Sequence, residues 1–181
     1  RERNMANISW GKPRIFTGAK NSLKTADAFA ELPTPAEDTT QLTGQQGDKV
    51  EAKIEGGENE AVKIKANTYE LVMHIRMAQG RTLPAVLLDA SSADGYTKQN
   101  VAVALQPEDA SAPGFYCGEC AVSIMETYTA ADGAIWEITF SPVVPSTGAI
   151  KKAVNIGTVT ATEGTSTNVG KFTLGGTALG D

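Results

Sequence analysis

The chain has 181 residues, enough for one domain with a buried core, and its 41% hydrophobic and 20% charged residues are typical of neither disordered nor membrane-embedded chains. A net charge of −5, from 16 Lys and Arg against 21 Asp and Glu, argues against a basic domain that clamps nucleic acid phosphates. With one histidine and two cysteines, most zinc sites are excluded, as is every nucleophilic triad without His74. The remaining composition, rich in Thr, Ala, Gly and Val, indicates a soluble β-rich domain.

The apolar runs, the N-terminal residues and the cysteine count bear on membrane insertion, processing and disulfide bonding. No run of 18 or more apolar residues occurs, so we expect no membrane-spanning helix and no membrane partner. The polar segment 1–4 has no apolar stretch behind it and does not read as an intact signal peptide. Met5 is a candidate native start, and a mature chain cut from a longer precursor is the alternative. Two cysteines do not make a disulfide framework.

The first third of the chain carries weak signals. Residues 5–20 have a short extended pattern interrupted by glycine and proline. Residues 21–32 have apolar side chains three to four apart, and a short helix and an irregular strand both remain open. Pro33 and Pro35 then open a segment, 33–47, which we predict to be a long loop. Loops of that length are usually functional or mobile.

A β-hairpin over residues 49–65 is the clearest local signal. Two alternating segments flank Gly56-Gly57, a pair that tolerates the positive φ of a tight turn. We expect one inward face, made of Val50, Ala52, Ile54, Val62 and Ile64. The outer face is charged and carries Lys49, Glu51, Lys53, Glu55, Lys63 and Lys65. It is either a solvated face or a surface that meets a neighbouring subunit.

Further strands follow. Thr68–Met77 alternates over ten residues, which exceeds the usual strand length of about 5–6 and favours a large sandwich or barrel. Leu83–Ala90 is either a buried strand or a helical turn, and Val101–Leu105 is a strand. A second hairpin runs from Cys120 to Phe140 around Asp132-Gly133.

These elements predict a mainly β fold, an antiparallel β-sandwich or barrel with at most one or two short helices. The chain is Gly- and Thr-rich after residue 148, where segments near 154–160 and 172–174 read as weak strands. We therefore divide it into a β-sandwich or barrel domain, 1–147, and a C-terminal extension, 148–181, that a partner orders.

Few residues point to chemistry. Cys117 and Cys120 form a single CxxC that precedes a strand, whereas a thioredoxin-like thiol needs a helix N-terminus. Incidental core cysteines, a metal or disulfide pair, and a redox pair remain open. His74 has no marked nucleophile beside it, and no phosphate-binding glycine motif occurs. We therefore predict no catalytic, cofactor-binding or metal-ligating residue, no cofactor, and no enzymatic activity.

The order of features from Leu32 to Ile75 resembles the tail tube, or major tail, proteins of bacteriophages and related contractile injection tubes. A proline-containing segment precedes Glu37-Asp38-Thr39-Thr40, and Gly47 and a charged strand follow. Glu55-Gly56-Gly57-Glu58, a second strand and the long strand Tyr69–Met77 complete the pattern. The resemblance implies a structural virion protein whose rings, commonly hexameric, stack into a tube around a lumen for DNA.

The resemblance also implies partners and an interface. Copies of the same chain and other tail proteins are the expected partners, DNA is non-specific cargo, and the location is the phage tail, assembled in the host cytoplasm. We expect the hairpin and the strand after it to form the sheet shared by neighbours, and the 33–47 loop and the termini to contact the next ring. The candidate interface residues are Glu37, Asp38, Thr39, Thr40, Leu42, Lys49, Glu51, Lys53, Lys63 and Lys65.

Two other readings of the sequence remain open. One is a different virion or cell-surface β module, such as a head-decoration, pilin-like or adhesin domain. The other is a small β-barrel enzyme or ligand binder, which would need a pocket with convergent polar groups.

Overall fold

A computed structural model describes residues 8–19, 29–92, 94–145, 152–163, 169–174 and 177–178. The elements in chain order are β1 (Arg14–Ala19), β2 (Phe29–Glu31), β3 (Gln41–Gln45), β4 (Lys49–Lys53), β5 (Asn59–Ile64), β6 (Thr68–Arg76), α1 (Ala85–Ala90), β7 (Val101–Gln106), β8 (Pro113–Thr129), β9 (Gly133–Pro142), β10 (Asn155–Glu163), β11 (Val169–Leu174) and β12 (Thr177–Ala178). More than half of the described residues lie in strands and only one short helix is present among them, which confirms the mainly β prediction. The predicted start at Met5 lies outside the described residues, as does most of the open helix-or-strand segment 21–32.

One ten-stranded antiparallel sheet contains most of the strands, in the order β10-β11-β2-β1-β7-β8-β9-β6-β3 with β12 beside β11. An additional pairing joins β10 to β8, so that β8, β7, β1, β2, β11 and β10 form a closed circuit. Strands β9, β6 and β3 continue from the other half of β8. The antiparallel sandwich-like architecture expected from the sequence is confirmed.

The core lies against β6, β8 and β9. In β6 the alternation predicted from the sequence is confirmed, since Leu71, Met73 and Ile75 are fully buried. They face Ile138 and Phe140 of β9 within one apolar cluster. Antiparallel strands with one apolar face bury that face against a second layer, which explains why this strand is long and strictly alternating.

The helix α1 resolves the open choice over Leu83–Ala90. Pro84 precedes it with φ of −55°, a value that the proline ring favours and that suits the start of a helix. Leu87 and Ala90, three residues apart, are fully buried. That spacing places both side chains on one helical face, whereas in a strand they would point to opposite sides.

The prediction that 33–47 is a loop is wrong for Gln41–Gln45, because these residues form strand β3. This strand pairs with β6, with Gln41 opposite Val72 and Gln45 opposite Thr68. Most of its side chains are exposed, and Leu42 alone packs against the core. Backbone hydrogen bonds to β6 therefore hold this polar strand, and a hydrophobic pattern could not reveal it.

The C-terminal segment joins the main sheet through β10, whose residues 155–158 pair with the start of β8. Val154 and Val159 are buried. The weak strands expected near 154–160 and 172–174 are confirmed as β10 and β11. The domain boundary between 147 and 148 stays a prediction, and this pairing ties at least part of the later segment to the body.

Replacing Phe140 by Ala tests the central core. The side chain is fully buried, so we expect a loss of about 3–5 kcal/mol in the free energy of unfolding, measured by urea denaturation. Tyr128→Ala is the control, because 76% of Tyr128 is exposed and its loss should change stability by less than about 0.5 kcal/mol. Equal effects of the two substitutions would contradict this core assignment.

Candidate assembly surface

Among the described strands, β4 and β5 pair only with each other, so the β4–β5 hairpin is a two-stranded sheet apart from the main sheet. Its side chains are exposed along both strands except for the half-buried Glu51. The exposed fractions of its large apolar side chains run from 47% for Ile54 to 55% for Ile64, with Val50 and Val62 at 49%. A lone two-stranded hairpin is marginally stable in water, so this element is a candidate for contact with a partner.

The register of the hairpin separates its apolar residues. Val50 lies opposite Lys63, and Val62 lies opposite Glu51. Directly opposed residues of an antiparallel pair point to the same side, so the apolar sets of the two strands lie on opposite faces. The expectation of one inward apolar face is wrong, and so is the single charged outer face. Each face mixes apolar side chains from one strand with charged or polar side chains from the other.

The turn of the hairpin follows the sequence prediction. Gly56 and Gly57 have φ of +102° and +90°, and their Cα positions face open space. Ile54 N–H donates to the carbonyl of Glu58 at 3.0 Å, which closes the turn. Between Ala52 opposite Ala61 and Lys53 opposite Asn59 the register shifts by one residue, so Glu60 is the extra residue of a bulge.

The base of the hairpin is fixed by close backbone packing. A Cβ atom on Gly47 would collide with the backbone carbonyl of Lys65, so only glycine fits there. The N–H of Gly47 donates to Oδ1 of Asn67 at 3.2 Å, and the N–H of Lys65 donates to the carbonyl of Asp48 at 2.9 Å. These contacts set the direction in which the hairpin leaves the body between β3 and β6.

The charged interface candidates divide between the two faces. Lys49, Glu51 and Lys53 share one face, where Glu51 forms ion pairs with both lysines. Lys63 lies on the other face, opposite Val50. Lys65 is at the base, with its Nζ 3.5 Å from Asp48. The structure therefore does not bring the five candidates of the hairpin together on one surface.

The candidates in segment 36–42 form a separate group. Glu37 and Asp38 are exposed, and Asp38 has a positive φ of +57°. Thr39 is held to the body: its Oγ1 donates to the carbonyl of Ala36 at 2.7 Å and accepts from the N–H of His74 at 3.2 Å.

A groove of about 620 Å3 runs beside that segment, between residues 9–13 and residues 34–40. Thr40 lines it together with Glu37, Asp38 and Trp10, and 74% of Trp10 is exposed. Sequence reasoning missed Trp10, which stood in a weak strand pattern broken by glycine and proline. Such a pattern does not show which side chains a loop leaves in solvent.

The CxxC residues lie in the core. Val101 pairs with Cys120 and Val103 with Cys117, so one residue of β7, Ala102, lies opposite two of β8, Gly118 and Glu119, in a bulge. Both cysteines are fully buried and free. A hydrogen bond with the Cys117 side chain, followed by burial, raises the pKa of the Cys120 thiol well above its usual range.

His74 and the acidic residues were the other candidates for chemistry in the described part of the chain. His74 Nε2 lies 3.7 Å from a carboxylate oxygen of Glu137 on the neighbouring strand. Within the described ranges, no group of three or more His, Cys, Asp or Glu residues is placed to hold a metal ion. Across the same part of the chain, no helix has the length and apolar character needed to cross a bilayer.

Comparison of the chain with models of known protein families found no match. Comparison with curated protein sequences found none either.

Thiol labelling tests the placement of the CxxC. We expect neither cysteine of the native protein to react measurably with a disulfide reagent such as DTNB, because both are fully buried and a raised pKa disfavours the Cys120 thiolate. In urea both should react. A Thr127→Cys variant places a thiol on the exposed end of β8 and should label readily in the native state. Fast labelling of the native wild type would contradict the buried pair.

Proposed function

We propose that the chain is a structural subunit that assembles with copies of itself, as a tail tube subunit of a virion whose stacked rings surround a lumen for DNA. The single observation that carries the proposal is the β4–β5 hairpin, which is exposed on both faces and detached from the main sheet. The order of features from Leu32 to Ile75, which includes this hairpin, supports the choice of tube subunit among assembling proteins.

The exposed apolar side chains give such an assembly a driving force. Val50, Val62 and Ile64 are each about half exposed, so burying one at an interface would contribute about 1 kcal/mol. They lie on both faces of the hairpin. A partner on each face, or a slot that encloses the hairpin, would bury all of them, whereas contact with one flat surface would bury only part.

An open sheet edge supports lateral contact. Among the described strands β3 pairs only with β6, and its sequence Gln-Leu-Thr-Gly-Gln has neither a charge nor a proline. Edge strands of monomeric proteins usually carry such protective residues. The unguarded edge of β3 fits pairing with a strand of a neighbouring subunit in a ring.

The acidic net charge of the chain agrees with a lumen through which DNA passes. The chain has a net charge of −5, and carboxylates that face a lumen would repel phosphates and keep DNA from adhering.

Deleting the hairpin tests the proposal. Because Lys65 and Asp48 are already hydrogen-bonded at 2.9 Å, a short Gly/Ser turn between them can replace residues 49–64 without moving the strands on either side. We expect the variant to keep a β-type circular dichroism spectrum and the melting temperature of the body, and to lose rings and tubes in electron micrographs and light scattering.

A milder variant of the hairpin and a matched control show whether assembly depends on the apolar side chains of the hairpin or on surface hydrophobicity in general. Val50→Ser with Val62→Ser removes one apolar side chain from each face of the hairpin, and should weaken assembly. Leu88→Ser with Met125→Ser removes two exposed apolar side chains elsewhere, 54% and 52% exposed, and should not. The proposal fails if the wild-type protein stays monomeric at high concentration, or if the deletion variant forms normal tubes.

A further inference from the structure

The charges of the hairpin are separated along its length. At the tip, residues 53–60, the charged groups are the carboxylates of Glu55, Glu58 and Glu60 and the ammonium of Lys53, which pairs with Glu51. The end nearest the body holds three lysines, Lys49, Lys63 and Lys65, against two carboxylates, those of Asp48 and Glu51, and so has a net positive charge. All these side chains are exposed except that of Glu51, which is half-buried. The hairpin is thus acidic at its tip and basic at its base.

The two ends cannot neutralise each other within one hairpin. A strand of five residues spans about 17 Å at about 3.3 Å per residue. The Debye length is about 8 Å at physiological ionic strength, so the field of the tip is largely screened before it reaches the base. Within the described part of the chain, no ion pair is formed by Glu55, Glu58, Glu60 or Lys63. The three carboxylates of the tip and Lys63 are therefore available to another molecule, while Lys49 and Lys65 hold surface ion pairs with Glu51 and Asp48 that another carboxylate can replace at little cost.

We infer that the acidic tip of one hairpin docks on the lysines at the base of the hairpin in a second copy, head to tail. The inference rests on the proposed self-assembly and names the contact within it. A second copy is the occupant because the hairpin carries both complementary surfaces, so one contact type repeats without a further partner. If copies stack by translation along one axis, the tip of each hairpin lies next to the base of the hairpin in the following layer. Head-to-tail contacts of this kind leave both ends of the stack free, so the assembly can continue to grow.

Local contacts hold both ends of the hairpin in place. Gly47 and the bond between Lys65 and Asp48 fix the base of the hairpin, and the Gly56-Gly57 turn closes its tip. The apolar side chains between the two ends lie on both faces. They would be covered along the length of the contact while the charges fix its direction and register.

Charge reversal in two variants tests the contact. The tip variant is Glu55→Lys with Glu58→Lys, and the base variant is Lys49→Glu with Lys63→Glu. We expect each alone to assemble at least about tenfold more weakly than wild type in light scattering at low salt, since attraction becomes repulsion at each contact. An equimolar mixture should recover assembly, because a reversed tip then meets a reversed base. Tagging one variant for electron microscopy should show both in the same particles.

The control is Asp89→Lys with Glu126→Lys, which makes the same charge change as the tip variant at exposed positions outside the hairpin. It should assemble like the wild type. Melting temperatures and circular dichroism spectra of all variants establish that each is folded.

The outcomes separate this inference from the proposed function. If the charge variants assemble normally while the hairpin deletion does not, the tip-to-base contact is wrong and self-assembly stands. If only the base variant is defective, the lysines meet another acidic group, and the inference is overturned. A mixture that stops at particles of two copies overturns the head-to-tail geometry. If the hairpin deletion also assembles normally, the proposed function fails as well.

Discussion

The bulge in β8 between Cys117 and Cys120 sets the path of the strand on which both halves of the molecule depend. Before the bulge β8 pairs with β7 on one edge and β10 on the other. After it, the edge that bound β10 binds β9 instead, and β9 carries β6 and β3. A bulge bends a strand and increases its twist, so one 17-residue strand can serve two parts of the structure.

The same bulge explains the place of the two cysteines. In a regular strand, residues three apart point to opposite faces, and one thiol would lie on the side away from the core. The extra residue reverses the alternation, so that both Cys117 and Cys120 join the apolar cluster. The side chain of Glu119, within the bulge, instead accepts a hydrogen bond from Asn100 at 2.8 Å.

Sequence patterns predicted the strands in which every second side chain is buried. They failed for strands that are held by backbone pairing and bury few apolar side chains. The strand around Leu71, Met73 and Ile75 was predictable because each second side chain lies in the core. The strand Gln41–Gln45 was not, because backbone pairing with β6 and little apolar burial hold it. The turn at Gly56-Gly57 was predictable from local chemistry, and its positive φ values agree.

For the candidate surface, the sequence could not predict the register in which β4 pairs with β5. Both strands alternate, so each has an apolar side and a charged side, but the sequence does not show which residue of one opposes which residue of the other. A shift of one residue moves every side chain of a strand to the other face. A buried face would have selected the register that aligns Val50 with Val62. Both faces of this hairpin are exposed, and Val50 instead opposes Lys63. Because burial within one subunit does not select this register, the mixed faces it creates are the feature that a contact between subunits would have to match.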